Sequence, residues 1–170
     1  MKTLIAFVAG LIALPLLIVI AGMLGWLGST ANGTPPGWEV SLGGRLLDVA
    51  LEKRSAGLKN PIKPNDAAAL AAGRELFDDN CAGCHGSDQA PSDWGSKGFY
   101  PRVPQFWQDG TKVSPEEAFV AIRDGVRYSG MGAWKGMMKE DEMWRVANFV
   151  AHIRDFKPAP KPAAAAAGRS

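Results

Sequence analysis

Residues 76–88 read LFDDNCAGCHGSD, and the five residues Cys81-Ala82-Gly83-Cys84-His85 inside them decide how the rest of the chain is read. They hold both cysteines of the 170-residue sequence and one of its two histidines. Three chemistries use such a cluster: thiol–disulfide exchange, part of a zinc site, or covalent attachment of a c-type haem.

A structural zinc site needs four ligands. Cys81, Cys84 and His85 are so nearly consecutive that the geometry is awkward, no second CxxC is present, and His152 is the other histidine. Exchange motifs usually open a helix after a strand, whereas this one follows a predicted helix and no convincing strand is found. C-x-x-C-H is the signature of c-type haem attachment. The two thiols add to the two vinyl groups of the porphyrin, and His85 falls under the iron as its proximal ligand. The expectation is one covalent haem c on Cys81, Cys84 and His85.

The amino end agrees with export. Leu4 to Leu27 carries no charge over 24 positions, about 36 Å as a helix, enough for a hydrocarbon core of about 30 Å. Gly10, Pro15, Gly22 and Gly25 are tolerated in a membrane helix, and Trp26 fits an interfacial anchor. A cleaved signal ending near Ser29-Thr30-Ala31 is the alternative, but its apolar core is usually about 7–15 residues. Residues 1–28 are therefore read as a transmembrane anchor or uncleaved signal, and either way the rest is exported. Lys2 precedes the apolar run and the next basic residue is Arg45, so the positive-inside rule puts the amino end in the cytoplasm and the domain on the periplasmic side. In bacteria, haem c is attached on that side.

Net charge is +2, too small for a global field aimed at nucleic acid. Residues 66–157 hold 11 Lys/Arg against 14 Asp/Glu, so the domain is slightly acidic and its flanks basic. Residues 29–65 read as a periplasmic linker and stem, Gly/Pro-rich at first, with a short amphipathic helix around Leu46, Leu47, Val49, Ala50 and Leu51. Residues 158–170, low in complexity, read as a disordered tail. Asn65 or Asp66 caps a helix running to the cysteines, with Leu70, Gly73, Leu76 and Phe77 on one face. Gly86 to Thr111 has no period and reads as one long ordered loop. Ser114-Pro115-Glu116-Glu117 is a capping box with proline at the first helical position, and Gly125 stops that helix. A last helix covers about Glu140 to Asp155, with Met143, Val146, Ala147, Val150 and Ile153 as its stripe.

The sixth position on the iron separates carrier from catalyst. Of six methionines, Met131 is singled out because Gly130 and Gly132 leave it room to approach a flat cofactor. His152, inside the last helix, is a poorer candidate.

The order of capped helix, CAGCH, proline-rich loop, helix, Gly-Met loop and final aromatic helix resembles the class I cytochrome c family, more narrowly its membrane-anchored bacterial monohaem members. The resemblance covers about residues 66–156 and implies an all-α cytochrome c-like fold around one covalent haem, preceded by the transmembrane helix. It implies a crossing of first and last helices at Gly73, Phe77 and Trp144. It implies that Pro104 offers a carbonyl to the proximal imidazole, that Phe106 packs on the ring, and that Met131, in Met131-Gly132-Ala133-Trp134, is the distal ligand. Gly132 stands where proline is usual, which leaves the loop less pre-set, and Lys139 stands where a helix cap is common.

The resemblance implies an electron carrier rather than an enzyme, standing free or as the haem subunit of a larger redox complex. Its donor would be a membrane dehydrogenase or quinol oxidoreductase and its acceptor a terminal oxidase, with no small-molecule substrate. Trp94, Phe99, Tyr100, Phe106, Trp107, Tyr128 and Trp134 are expected to bury the haem, with Tyr128, Arg102 or Arg127 on its propionates and Lys97, Lys112 and Lys135 around its edge. The alternative is a gas sensor or weak peroxidase with a labile sixth ligand.

Overall fold

A computed structural model describes residues 2–28, 30–63 and 65–156, apart from the side chains of Ile5 and Ala6. The expected tail, 158–170, lies outside the described residues. The described helices are α1 (Lys2–Met23), α2 (Gly37–Ser55), α3 (Ala67–Asn80), α4 (Ala82–His85), α5 (Asp93–Gly98), α6 (Phe106–Asp109), α7 (Pro115–Asp124) and α8 (Glu140–Ala151), followed by a 3-10 turn over Ile153–Asp155. The architecture is all-α. The chain divides into two compact units, residues 1–31 and residues 32–170. In the first, α1 is long and apolar enough to cross a membrane.

In the second unit α8 packs against both α3 and α7. Met143, Val146, Ala147, Val150 and Ile153 are all buried, as their spacing predicts. Phe77 of α3 and Phe149 of α8 are fully buried, with ring centroids 5.4 Å apart. Each such side chain contributes about 1.5–3 kcal/mol by leaving water. Phe119 of α7 stacks on Trp144 of α8 at 4.0 Å and 6°. The helices start where the sequence places them. The Asp66 carboxylate accepts from the Ala69 amide at 3.0 Å, and Ser114 and Glu117 close the capping box. Lys139 has no capping side chain of its own; instead Glu142 reaches back and accepts from the Lys139 amide at 2.9 Å.

Three expectations change. The last helix ends at Ala151 and continues only as the 3-10 turn, with His152 at the boundary and its Nδ1 2.8 Å from the Asn148 carbonyl oxygen. The stretch from Gly86 to Thr111 is not one irregular loop: α5 and α6 form within it, and the Ser92 hydroxyl caps α5 by accepting from the Gly95 amide. Two helices of six and four residues are too short for a 3.6-residue period to show. The stem helix is 19 residues long and α2 packs on α7. Beyond it, Asn60 and Asn148 exchange amide hydrogen bonds at 2.8 and 3.0 Å, so the stretch before α3 is fastened to the core.

Candidate haem site

Cys81 terminates α3, and Ala82–His85 turns once more as α4. That turn sets both thiols and the imidazole on adjacent positions of one short segment. Both cysteines are free thiols and half-buried. Burial, with the neighbouring Cys84 second, pushes the Cys81 thiol up to about 12. Exchange cysteines need the opposite shift, toward the thiolate, so this environment argues against a redox disulfide.

His85 is the best-fixed side chain of the motif. Its Nδ1 lies 2.9 Å from the carbonyl oxygen of Pro104, and its ring stacks on Phe106 at 4.5 Å and 6°. A carbonyl only accepts, so Nδ1 carries the proton and Nε2 keeps its lone pair. Burial lowers the His85 pKa, opposed by the Pro104 bond, and so favours the neutral ring that a metal ligand must be. Phe77 completes the surroundings, 6.4 Å from the rings of both His85 and Phe106.

The motif is held from behind by a residue that sequence reading passed over. Gln105 is buried. Its Nε2 donates to the carbonyls of Cys84 and Val103 at 3.0 and 2.9 Å, and its Oε1 accepts from the Ser92 amide at 2.7 Å. Gly95 was missed as well. A methyl group there would lie 1.8 Å from the Cys84 carbonyl oxygen, so α5 can rest on the motif only through a bare backbone. A polar side chain between Pro104 and Phe106 was the available signal for Gln105; for Gly95 there was none.

Met131 is half-buried and, with Trp134, packs against the same buried cluster as Cys81 and Phe106. Its loop is tied down. The Met131 carbonyl accepts from Val126 at 3.0 Å, its amide donates to Ser129 Oγ at 3.1 Å, and Trp134 and Lys135 donate to the last-turn carbonyls of Ile122 and Arg123 at 3.0 and 3.1 Å. These bonds fix the loop where Gly132 leaves it without a proline. Gly130 makes room for Phe99, whose ring a methyl there would meet at 2.3 Å.

These side chains group around one signature, and the family comparison decides what carries it: residues 68–150 match the family described as cytochrome c oxidase, cbb3-type, subunit III. This part of the chain is a cytochrome c domain. Among curated proteins the chain is similar to the cbb3-type cytochrome c oxidase subunit FixP of Sinorhizobium medicae, 30% identical over 125 residues, covering 69% of this chain and 40% of that protein. It is also similar to the subunit CcoP of Azospirillum brasilense, 28% identical over 116 residues, covering 61% of this chain and 37% of the relative. The chain thus spans about two fifths of the length of these relatives.

A cytochrome c domain implies haem c, and the donor set fits it: two free thiols and an imidazole whose Nε2 keeps its lone pair. Trp94 and Tyr128 are 64% and 85% exposed, Trp94 edge-on to Phe99 and Tyr128 beside the Arg127 guanidinium. The Tyr100 hydroxyl donates to Glu39 at 2.7 Å. Arg102 donates to the carbonyls of Lys97, Phe99 and Gly33. Lys97 pairs with Asp93 at 2.7 Å.

Proposed function

We propose that the chain is a membrane-anchored electron-transfer protein carrying one covalent haem c, acting as the haem subunit of a terminal oxidase complex. Cys81 and Cys84 would hold the haem by thioether bonds, His85 would ligate the iron through Nε2, and Met131 would be the sixth ligand. The observation that carries this is the fixed imidazole. The Pro104 carbonyl accepts from Nδ1–H, Phe106 stacks on the ring, and Nε2 keeps its lone pair in the segment that carries both free thiols. Haem c bound there supplies a reversible one-electron iron couple, raised in potential by a methionine ligand. The protein's part is to hold the imidazole orientation, to exclude water with Phe77, Phe106 and Trp134, and to keep the methionine loop fastened to the end of α7.

The similarity to oxidase subunits supports assembly with an oxidase, α1 supports a membrane anchor, and Lys2 ahead of the apolar run favours the domain on the periplasmic side. The electron donor would be a membrane dehydrogenase or quinol oxidoreductase. Carbon monoxide binding to the reduced holoprotein tests the ligation. Wild type is expected to exclude the gas and to show a methionine–iron charge-transfer band when oxidised, and Met131→Ala to lose the band and bind the gas. Ready binding by wild type would overturn the carrier reading in favour of a gas sensor or weak peroxidase.

A further inference from the structure

Helix α2 carries two apolar stripes. On one side Leu51 is buried and Leu47 half-buried, and Arg54 pairs with Asp124 at the end of α7 at 3.6 Å. On another side Trp38, Leu42, Leu46 and Val49 follow at helical spacing and are 69, 52, 64 and 48% exposed. In the helical repeat Lys53 continues this stripe one turn beyond Val49, and Arg45 borders it, with Glu52 and Asp48 farther round on the same side. A helix already packed along one side has no structural need for a second apolar face, and a contiguous exposed face of this kind marks an interaction surface.

The helix is fixed at both ends. Glu39 accepts from Tyr100 at 2.7 Å, the Gly33 carbonyl just before it accepts from Arg102 at 2.7 Å, and Arg54 is paired at the far end. It cannot roll to hide the stripe without giving up these contacts. What covers the stripe follows from the chain. Gly33 is six residues beyond Leu27, the end of the uncharged run, a reach of at most about 20 Å. Any bilayer entered by that run therefore has its surface within reach of this helix. The composition suits it: a tryptophan of the type that sits at headgroup level, aliphatic side chains to enter the acyl boundary, and one cation at the border of the stripe and one at its end for anionic headgroups.

We propose that α2 lies in the interface of the bilayer that α1 spans, inserting Trp38, Leu42, Leu46 and Val49, and thereby sets the orientation of the cytochrome c domain at the membrane. This rests on the anchored reading of α1. The test uses the full-length holoprotein alone in nanodiscs of phosphatidylcholine and phosphatidylglycerol, with p-benzoylphenylalanine replacing Leu42, Leu46 or, off the stripe, Asp48. After illumination, lipid adducts are expected by mass spectrometry at positions 42 and 46 and not at 48. The adduct at 46 should be lost in the Trp38→Ser, Val49→Ser background, with the haem spectrum unchanged as a control for folding. Co-purification with the disc but no adduct at 42 or 46 beyond that at 48 would overturn the proposal while leaving the anchor standing. Failure to co-purify would overturn the anchor and the proposal together. The same probes in native membranes cross-linking only to a polypeptide would also overturn it, assigning the stripe to a protein partner.

Discussion

Gly73 of α3 faces the main chain of Arg145 in α8: a methyl group on Gly73 would lie 2.2 Å from the Arg145 carbonyl oxygen and 2.7 Å from its carbonyl carbon. Neither atom can move without displacing α8. Gly73→Ala is expected to destabilise the domain by about 2–3 kcal/mol, the upper end of the range for overpacking, read as a lowered thermal midpoint. An unchanged midpoint would mean that the two helices do not cross as closely as described.

Gln105 bridges three segments around the attachment motif. Gln105→Leu leaves the Ser92 amide and the Cys84 and Val103 carbonyls without this partner, an expected loss of about 1–3 kcal/mol. Because Cys84 is one of those partners, the fraction of protein carrying haem should fall with the midpoint. Gln105→Glu keeps the acceptor for Ser92 but sets a buried carboxylate against the Cys84 and Val103 carbonyl oxygens, so it should fall at or below Gln105→Leu in both readouts.

Asn60 and Asn148 are 88 positions apart and share two amide hydrogen bonds. A double-mutant cycle of Asn60→Ala and Asn148→Ala should give a coupling energy of about 1 kcal/mol or more, as for residues in one network. Additive effects would mean that the segment before α3 hangs free of the core. Asn148→Ala alone should cost more than Asn60→Ala, because Asn148 is buried and also donates to the Trp144 carbonyl at 2.8 Å.

Asp124 links α7 to α2 electrostatically. Its carboxyl is held below the ordinary value first by the Arg123 hydrogen bond, against burial, with the charges of Arg123, Arg54 and Lys135 adding to the effect. A lowered folded-state pKa contributes stability above the unfolded value, about 3.9, and that contribution is lost as pH falls through the folded value. The thermal midpoint of wild type should therefore fall more steeply on acidification than that of Asp124→Asn, the two curves converging at low pH. Parallel curves would sink the assignment.

Local chemistry written into consecutive residues was legible. CAGCH names its own chemistry, Asp66 and Ser114 start helices because their side chains satisfy orphan amides of the next turn, and the stripe from Met143 to Ile153 follows from helical spacing. Pro104 and Phe106 were reached through the family resemblance, and the structure sets both directly on His85. Composition could not foretell that Trp94 and Tyr128 are largely exposed within the chain's own packing.

What the sequence determined, then, was each feature whose cause lies within a few residues: the apolar span, the caps, the thiol–imidazole cluster. Tertiary structure alone decided which distant groups meet. It brought Gln105 behind Cys84, Asn60 onto Asn148, Glu39 onto Tyr100 and the amides of Trp134 and Lys135 onto the end of α7. Such pairings depend on where the chain returns in space, and a hydrogen bond between residues far apart leaves no period or spacing in the sequence from which to read it.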